Sequence, residues 1–398
     1  MSAFTCEEKF DIINDHRKNE AVTMKIIHTS DWHFGMGLGT GSYADDQRYF
    51  LRQLYGLIEK EQVKALLLAG DIYDSSVVSA EAIGLYNEAM TKLCLELGVQ
   101  VISIAGNHDS AARLASCRDL LKGAGLHITG KIEKNPVPVL LEDGKVAVYS
   151  IPFFNRDEVT ALLRSKKAEI RNTETAMLAY CDHIRENMDT GRRNFVLSHS
   201  LIVGSQLSES DRSARVGFAT AVSKDVFRGF DYVALGHIHK PQAIENHIRY
   251  SGSPLKYSFG AEEKQEKGVV LIDTDTMDIH FVPLAPKRER RSLEGTYEEI
   301  MAREDLGEDY LKITVTDRYA GLELIADLRE KFPGLLEVYG KSLSEEGQLS
   351  ALSVEELEKL NEEDIMIKFL AEGFSTEPTE GQLKLFREVL AWSREEET

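Results

Sequence analysis

Cysteine is scarce in this chain: Cys6, Cys94, Cys117 and Cys181 are the only four in 398 residues, and no two form a C-x-x-C pair. That spacing excludes a disulfide framework and a zinc-thiolate site as organising features. No apolar run approaches the roughly 18 residues that a membrane span needs, and nothing at the start reads as a signal peptide, so the expectation is a cytoplasmic protein without a membrane role. A G-x-x-x-x-G-K-S/T loop is also missing, so the chain carries no P-loop ATP site. Basic side chains are outnumbered, with 47 Lys and Arg against 66 Asp and Glu and a net charge of -19. Residues 341–398 hold 15 acidic and 6 basic side chains, contributing -9 and leaving -10 for the rest. Such a balance argues against a broad electrostatic nucleic-acid clamp. It leaves phosphodiester chemistry open, because bound divalent cations reverse the local field at a site.

What is present is a series of apolar runs that each end in a ligand-type residue. The run 65–69 is stopped by Gly70-Asp71-Ile72-Tyr73-Asp74, which reads as a buried strand presenting a carboxylate at the carboxyl edge of a sheet. Four other elements follow the same rule: Asp31-Trp32-His33, Gly106-Asn107-His108-Asp109, Ser198-His199 and Gly236-His237-Ile238-His239. Asp, Asn and His are hard or borderline O and N ligands. Gathered at strand ends, Asp31, His33, Asp71, Asn107, His199, His237 and His239 point to a pocket for divalent cations and not to packed core. Seven ligands exceed what one ion takes. They suit two ions bridged by a shared carboxylate, and Asp71, central in the order, is the candidate bridge. A set without Cys suits Mn(II), Fe(II), Zn(II) or Mg(II). His28 lies inside the first strand and reads as a hydrogen-bonded core residue. His16, His127, His183, His247 and His280 lack a paired motif and read as surface or structural.

The ordered set D-x-H, G-D-x-x-D, G-N-H-D, H and G-H-x-H resembles the calcineurin-like metallophosphoesterase superfamily over about residues 24 to 286. Flanking words narrow the resemblance to the SbcD family of bacterial nucleases: His28-Thr29-Ser30-Asp31-Trp32-His33-Phe34-Gly35, Ser208-Glu209-Ser210-Asp211-Arg212, Asp231-Tyr232-Val233-Ala234-Leu235-Gly236 running into the last His pair, and Ser251-Gly252-Ser253-Pro254-Leu255. The resemblance implies two face-to-face sheets flanked by helices, with the metal site on loops at one edge. It implies Asp31, His33, Asp71 and His239 on one ion and Asp71, Asn107, His199 and His237 on the other, although spacing alone leaves open which of His237 and His239 serves which. It makes His108 the residue that protonates the leaving oxygen or stabilises the transition state, with Asp74 as the carboxylate orienting its ring, and it names Mn(II) as the metal. The loop 205–212 is implied to lie near substrate, with a plain solvated loop as the competing reading. The implied activity is a 3′-to-5′ exonuclease on duplex DNA ends and an endonuclease on hairpins or blocked ends, in DNA repair, recombination and replication. The implied partner is an SbcC-type, SMC-like ATPase that binds the ATP, with a homodimer inside a heterotetramer. The alternative within the superfamily is a small-molecule phosphodiesterase or phosphoprotein phosphatase, against which the extra residues after Pro286 argue. A scaffold with a vestigial metal site is a third reading, opposed by intact ligands at all seven positions.

The expected organisation is a disordered extension over 1–23, a metallophosphoesterase domain over 24–286, a small α/β capping domain over 287–345, and a helical tail over 346–398 that docks on the ATPase. From residue 24, strand and helix alternate as in a layered α/β fold. Helices are expected over 43–61, 79–97, 111–122 and 157–186, with Gly98 and Gly123 as C-caps. Segments 136–141 and 145–151 read as a hairpin that opens a second sheet. Strands over 99–105, 194–198 and 230–235 deliver Asn107, His199 and the last His pair, and 267–273 with 277–283 close the domain. Strand 310–315, helix 320–331 and strand 335–339 read as a β-α-β unit. Apolar faces that include Leu51, Leu54 and Leu85 mark either a dimer surface or ordinary core.

Overall fold

The computed structural model describes residues 24–38, 41–164, 169–211, 221–319, 322–341 and 379–395. The expected extension over 1–23 and most of the tail lie outside the described residues. The described residues divide into two compact units, one up to Ser292 together with Gly307–Lys312, the other Leu293–Leu306 together with the described residues from Ile313 onward.

The first unit holds two six-stranded sheets. In spatial order the first is Ile279–Pro283, Gly268–Asp273, Lys25–Thr29, Ala65–Leu68, Gln100–Ile104 and Leu126–Thr129. Its last four strands run parallel. The second is Gln242–Glu245, Ile248–Tyr250, Tyr232–Gly236, Arg193–His199, Val146–Ile151 and Val139–Leu141, with the middle four parallel. Parallel strands covered on both faces are apolar throughout, which is why Ala65–Leu68 and Tyr232–Gly236 are buried at every position. Period-2 alternation decides which sheet face each side chain joins. Ile26, Leu67, Ile102, Val148, Phe195, Leu197 and Val270 share one apolar cluster, whereas Tyr149, Val196, Val233 and Leu235 share another with Tyr180 and Ile184 of the helix Thr173–Arg185.

His28 shows how the sheets are joined. It is fully buried, its Nε2 donates to the Leu235 carbonyl at 3.1 Å, and its Nδ1 meets the Tyr232 hydroxyl at 2.9 Å. Both partners lie on the neighbouring sheet, so the core reading of His28 holds. Burial lowers its pKa to about 3, below the ~6.5 of an unfolded chain. Between those values the unfolded state binds the extra proton, so the stability contribution is complete above pH 6.5 and shrinks by about 1.4 kcal/mol per unit as pH falls toward 3. Urea midpoints of the wild type and His28→Gln are therefore expected to converge between pH 7 and pH 4. Parallel midpoints across that range would contradict the assignment.

Helix Ala44–Glu61 buries Phe50, Leu51, Leu54 and Ile58 along one stripe and ends at Gln62 in the left-handed region. Leu51, Leu54 and Leu85 are all buried within the chain, so the faces they mark are core. Helix Ala80–Met90 is capped by Ser79 and widens into a π-turn over Thr91–Glu96 before Gly98 at φ +66°. Expected helix 111–122 is instead two short helices, Ala111–Leu114 and Arg118–Leu121, because Cys117 between them takes φ 57°. The left-handed terminator there is Gly125, not Gly123. Expected helix 157–186 divides into Arg156–Leu162 and Thr173–Arg185, each opened by its own Asn cap, Asn155 and Asn172.

The three-stranded sheet is ordered Arg290–Gly295, Tyr310–Tyr319, Leu335–Lys341, with helices Tyr297–Met301 and Leu322–Lys331. The β-α-β pattern is present, and Arg290–Gly295 is a strand that the charged run starting at Lys287 conceals. Of the expected helical tail, Glu380–Glu395 is helical; residues 346–378 lie outside the described residues. Among the described residues no helix is long and apolar enough to cross a membrane.

Candidate metal centre

The parallel strands of both sheets run toward one edge, and Lys25–Thr29, Ala65–Leu68, Gln100–Ile104, Arg193–His199 and Tyr232–Gly236 deliver their polar residues there. Backbone bonds tie the loops together: Asp31 N donates to Gly70 O at 3.0 Å, His33 N to Asp71 O at 3.0 Å, and Phe34 N to Ile72 O at 2.8 Å. Across the sheets, His237 N donates to Asp31 Oδ1 at 3.0 Å. Four of the seven ligand-type residues have positive φ: Asp31 at 54°, His33 at 45°, Asp71 at 48° and His237 at 99°. Non-glycine residues in this region cost of order 1–3 kcal/mol each and persist only where surrounding structure imposes them. The loops are thus shaped to aim side chains inward at a cost in local stability.

Close approach makes two motif glycines obligatory. A Cβ at Gly236 would lie 1.9 Å from the Ala69 carbonyl oxygen, and one at Gly106 would lie 2.1 Å from Asp71 Oδ1. Gly236→Ala is expected to destabilise the chain by about 1–3 kcal/mol through overpacking and to lower metal occupancy, since the clash would part the edges that hold His199 and Asp71. A wild-type urea midpoint with full occupancy would refute it.

The seven residues converge in two groups. Asp31, His33 and His239 present ligand atoms within 4.8 Å of one another, as do Asp71, His199 and His237. His33 Nε2 lies 3.1 Å from His239 Nε2 and 3.9 Å from Asp71 Oδ2. His199 Nε2 lies 3.0 Å from Asn107 Oδ1, 3.3 Å from His237 Nδ1 and 3.4 Å from Asp71 Oδ2. Asp71 therefore stands between the groups, His239 sits with Asp31 and His33, and His237 sits with His199 and Asn107. All are buried apart from the half-buried Asn107, which marks the open side together with His108 and Asp74.

The donor set asks for a cation. His199 Nδ1 donates to the Ala69 carbonyl at 2.8 Å, so in the neutral ring Nε2 is a bare lone pair, and it faces the oxygens of Asn107 and Asp71. Converging acceptors are costly when buried unless a proton or a cation sits between them, and a metal ion satisfies all three at once. The electrostatics agree. Burial pushes Asp31 up to about 7, with His199 and His33 opposing the rise and Asp71 adding to it. Burial also works against the charge of Asp71, yet His199, His33 and His108 hold it well below the usual carboxylate range. Burial alone would lower His199, but Asp71 and Asp31 raise it to about 9. His33 is likewise raised against burial by Asp74, Asp71 and Asp31. The carboxylates thus draw positive charge to this spot. Burial and His199 lower His237 to about 3, and burial with His33 and Lys267 lowers His239, keeping these two rings in the neutral form that ligates.

His108 and Asp74 meet, but not as expected. His108 Nδ1 donates to the main-chain carbonyl of Asp74 at 2.7 Å, whereas the Asp74 carboxylate lies 3.3 Å from His33 Nδ1. The ring of His108 is therefore oriented by backbone, and the side chain of Asp74 serves His33. The remaining histidines stay out of the cluster: His127 meets Gln100, His183 meets the Lys134 carbonyl, and His247 and His280 lie near Glu245 and Asp278. His16 lies outside the described residues.

Several supporting residues lie outside the seven ligand positions, and Gln47 and Tyr257 carry no spacing signal. Gln47, on the first helix, donates to the carbonyls of Trp32 and His33, and Tyr257 donates to Trp32 O at 2.7 Å. Asp109, the last letter of G-N-H-D, accepts from the backbone of Ile72, Tyr73 and Gly106 and so clamps two ligand loops together. In the loop 205–212, Asp211 is buried and accepts from His239 N at 3.0 Å, so this loop is part of the site wall up to Asp211; Arg212 lies outside the described residues.

A sequence profile of the calcineurin-like phosphoesterases matches residues 24–241, and one described as a type 5 capsule protein repressor C-terminal domain matches 286–373. The chain is 34% identical over 327 residues to the SbcD component of nuclease SbcCD from Staphylococcus epidermidis, covering 81% of this chain and 84% of that one. It is 31% identical over 380 residues to the protein of the same name from Staphylococcus saprophyticus, covering 94% and 99%. A solved dimetal phosphatase from Danio rerio aligns with a TM-score of 0.40 at 12% identity, over 63% of this chain and 92% of that one.

Proposed function

Because the chain belongs to the calcineurin-like phosphoesterases and, along most of its length, to the SbcD nuclease family, it is a metal-dependent hydrolase, and we propose that it is the nuclease component of an SbcCD-type complex. Its substrate is the DNA phosphodiester, cleaved 3′-to-5′ from duplex ends and internally at hairpins or blocked ends. Its metal is Mn(II), two ions per chain. Residues 287–345 act as a cap and 346–398 dock an SbcC-type ATPase, the whole forming a cytoplasmic heterotetramer around a homodimer of this chain. The observation that carries the reading is the convergence of seven O and N ligands on two foci with Asp71 common to both.

Asp31, His33, Asp71 and His239 would hold one ion and Asp71, Asn107, His199 and His237 the other. Two divalent cations there would supply Lewis acidity to the phosphoryl oxygens and a water acidic enough to attack near neutral pH. The chain's own residues do the rest. Buried walls fix the ligand loops, so the charge-stabilising geometry needs little reorganisation as the reaction proceeds. His108 stands on the open side with Nδ1 committed to the Asp74 carbonyl, which leaves Nε2 as the atom that hands a proton to the departing ribose oxygen.

The test is cleavage of an end-labelled duplex and a DNA hairpin by the purified chain with Mn(II), run beside p-nitrophenyl phosphate esters and repeated after chelation. Stepwise loss from the 3′ end that vanishes on chelation and returns with Mn(II) is the expected result. Hydrolysis of the small esters alone, with DNA intact even when the ATPase is supplied, would leave a phosphoesterase that is not this nuclease.

A further inference from the structure

Behind His239 lies a polar chain, buried at Glu262, Lys267 and Ser253 and half-buried at Ser210 and Ser258, whose members belong to neither ligand group. Glu262 is fully buried, and its Oε1 accepts from Lys267 Nζ at 2.7 Å. Lys267, also buried, donates in addition to the His239 carbonyl at 2.7 Å and to Ser253 Oγ at 3.0 Å. The other oxygen of Glu262 accepts from Ser258 N at 2.9 Å and from Ser210 Oγ at 2.7 Å. Ser210 Oγ then meets His239 Nδ1 at 2.7 Å.

Counting hydrogens decides the direction of this chain. A serine hydroxyl has one hydrogen, and the carboxylate held by the Lys267 ammonium only accepts. Bonds to an ionised acceptor are roughly twice as strong as neutral ones, so Ser210 gives its hydrogen to Glu262 and turns a lone pair toward the imidazole. His239 must then carry its hydrogen on Nδ1. Nε2 is left bare, and it faces His33 Nε2 at 3.1 Å within the group that includes Asp31. Asp211 holds the same residue by its backbone N–H.

We propose that Ser210, Glu262 and Lys267 are positioning residues that lock His239 in the tautomer whose Nε2 ligates, and that they thereby set the affinity of the ion shared by Asp31, His33 and His239. This rests on the two-ion reading above. Outer partners of ligating histidines fix tautomer and ring orientation, and their loss costs about 10–100-fold in metal affinity.

The experiment measures Mn(II) binding to the full chain by calorimetry and equilibrium dialysis for the wild type, Ser210→Ala and Ser210→Thr, together with histidine ¹⁵N spectra of the metal-free chain, the His239 signals being assigned by their loss in His239→Gln. Expected are two ions on the wild type, one of them about 10–100-fold weaker in Ser210→Ala with the other unchanged, and recovery in Ser210→Thr, which keeps the hydroxyl. His239 in the metal-free wild type is expected to carry hydrogen on Nδ1. Two wild-type affinities in Ser210→Ala, equal weakening of both ions, or a wild-type His239 protonated on Nε2 would each overturn the relay while leaving two ions bound. Fewer than two ions on the wild type would instead sink the two-ion reading, and the relay with it.

Discussion

Asp71→Ala is expected to strip the centre of metal and to lower DNA cleavage by about 1,000-fold or more, some 4 kcal/mol of transition-state stabilisation. Three observations set the size of this effect. Asp71 Oδ2 lies between His199 Nε2 at 3.4 Å and His33 Nε2 at 3.9 Å, one from each ligand group. Its Oδ1 accepts from His108 N at 2.9 Å, so the same side chain holds the loop that carries the proposed acid. It is also the carboxylate kept ionised by the surrounding imidazoles in spite of burial. Removing it takes away the shared anion and leaves the two groups without a common ligand. Metal content of the dialysed variant, read beside its cleavage rate on an end-labelled duplex, is the measurement. Two ions retained by Asp71→Ala would end its role as the bridge.

His108→Ala is expected to behave differently: both ions stay and the rate falls by about 100- to 10,000-fold, the range for losing a positioned general acid. The ring stands 5.0 Å from that of His33, centroid to centroid, but it is half-buried and its Nδ1 is committed to a backbone carbonyl. The His108 side chain is none of the seven ligands, and Asp71 keeps its nearer partners His199 and His33 without it. Asp74→Ala offers a useful contrast, because it leaves the carbonyl that orients His108 and removes the carboxylate beside His33. Its loss should therefore register in metal affinity more than in the proton-transfer step. If His108→Ala lost metal as fully as Asp71→Ala, His108 would be a ligand and not an acid.

Much of this protein was legible without coordinates, for a definite reason. Strand-length apolar runs ending in Asp, Asn or His mark both the buried strands and the edge where their ends meet, since a chain that covers both faces of a parallel strand has only its ends left for chemistry. The strands leading to Asp31, Asp71, Asn107, His199 and His237 all follow this rule. Local reversals did not show. Cys117 splits a helix through a single left-handed residue, and Asn155 and Asn172 open separate helices where periodicity suggested one.

Only tertiary structure decided which histidine joins which group. His237 and His239 leave one short loop two residues apart, and their separation follows from partners on other elements: Asn107 and His199 for the first, His33 and Ser210 for the second. The same holds for Asp74, whose carbonyl and carboxylate serve different histidines, and for the Glu262 and Lys267 pair, which no spacing singles out. Residue types and their order thus determined that ligands suited to a two-ion centre gather at one edge of two mixed sheets. Contacts between residues tens to hundreds of positions apart determined how its ligands divide and are held, because hydrogen-bond direction depends on what the fold brings within 3 Å and not on neighbours in the chain.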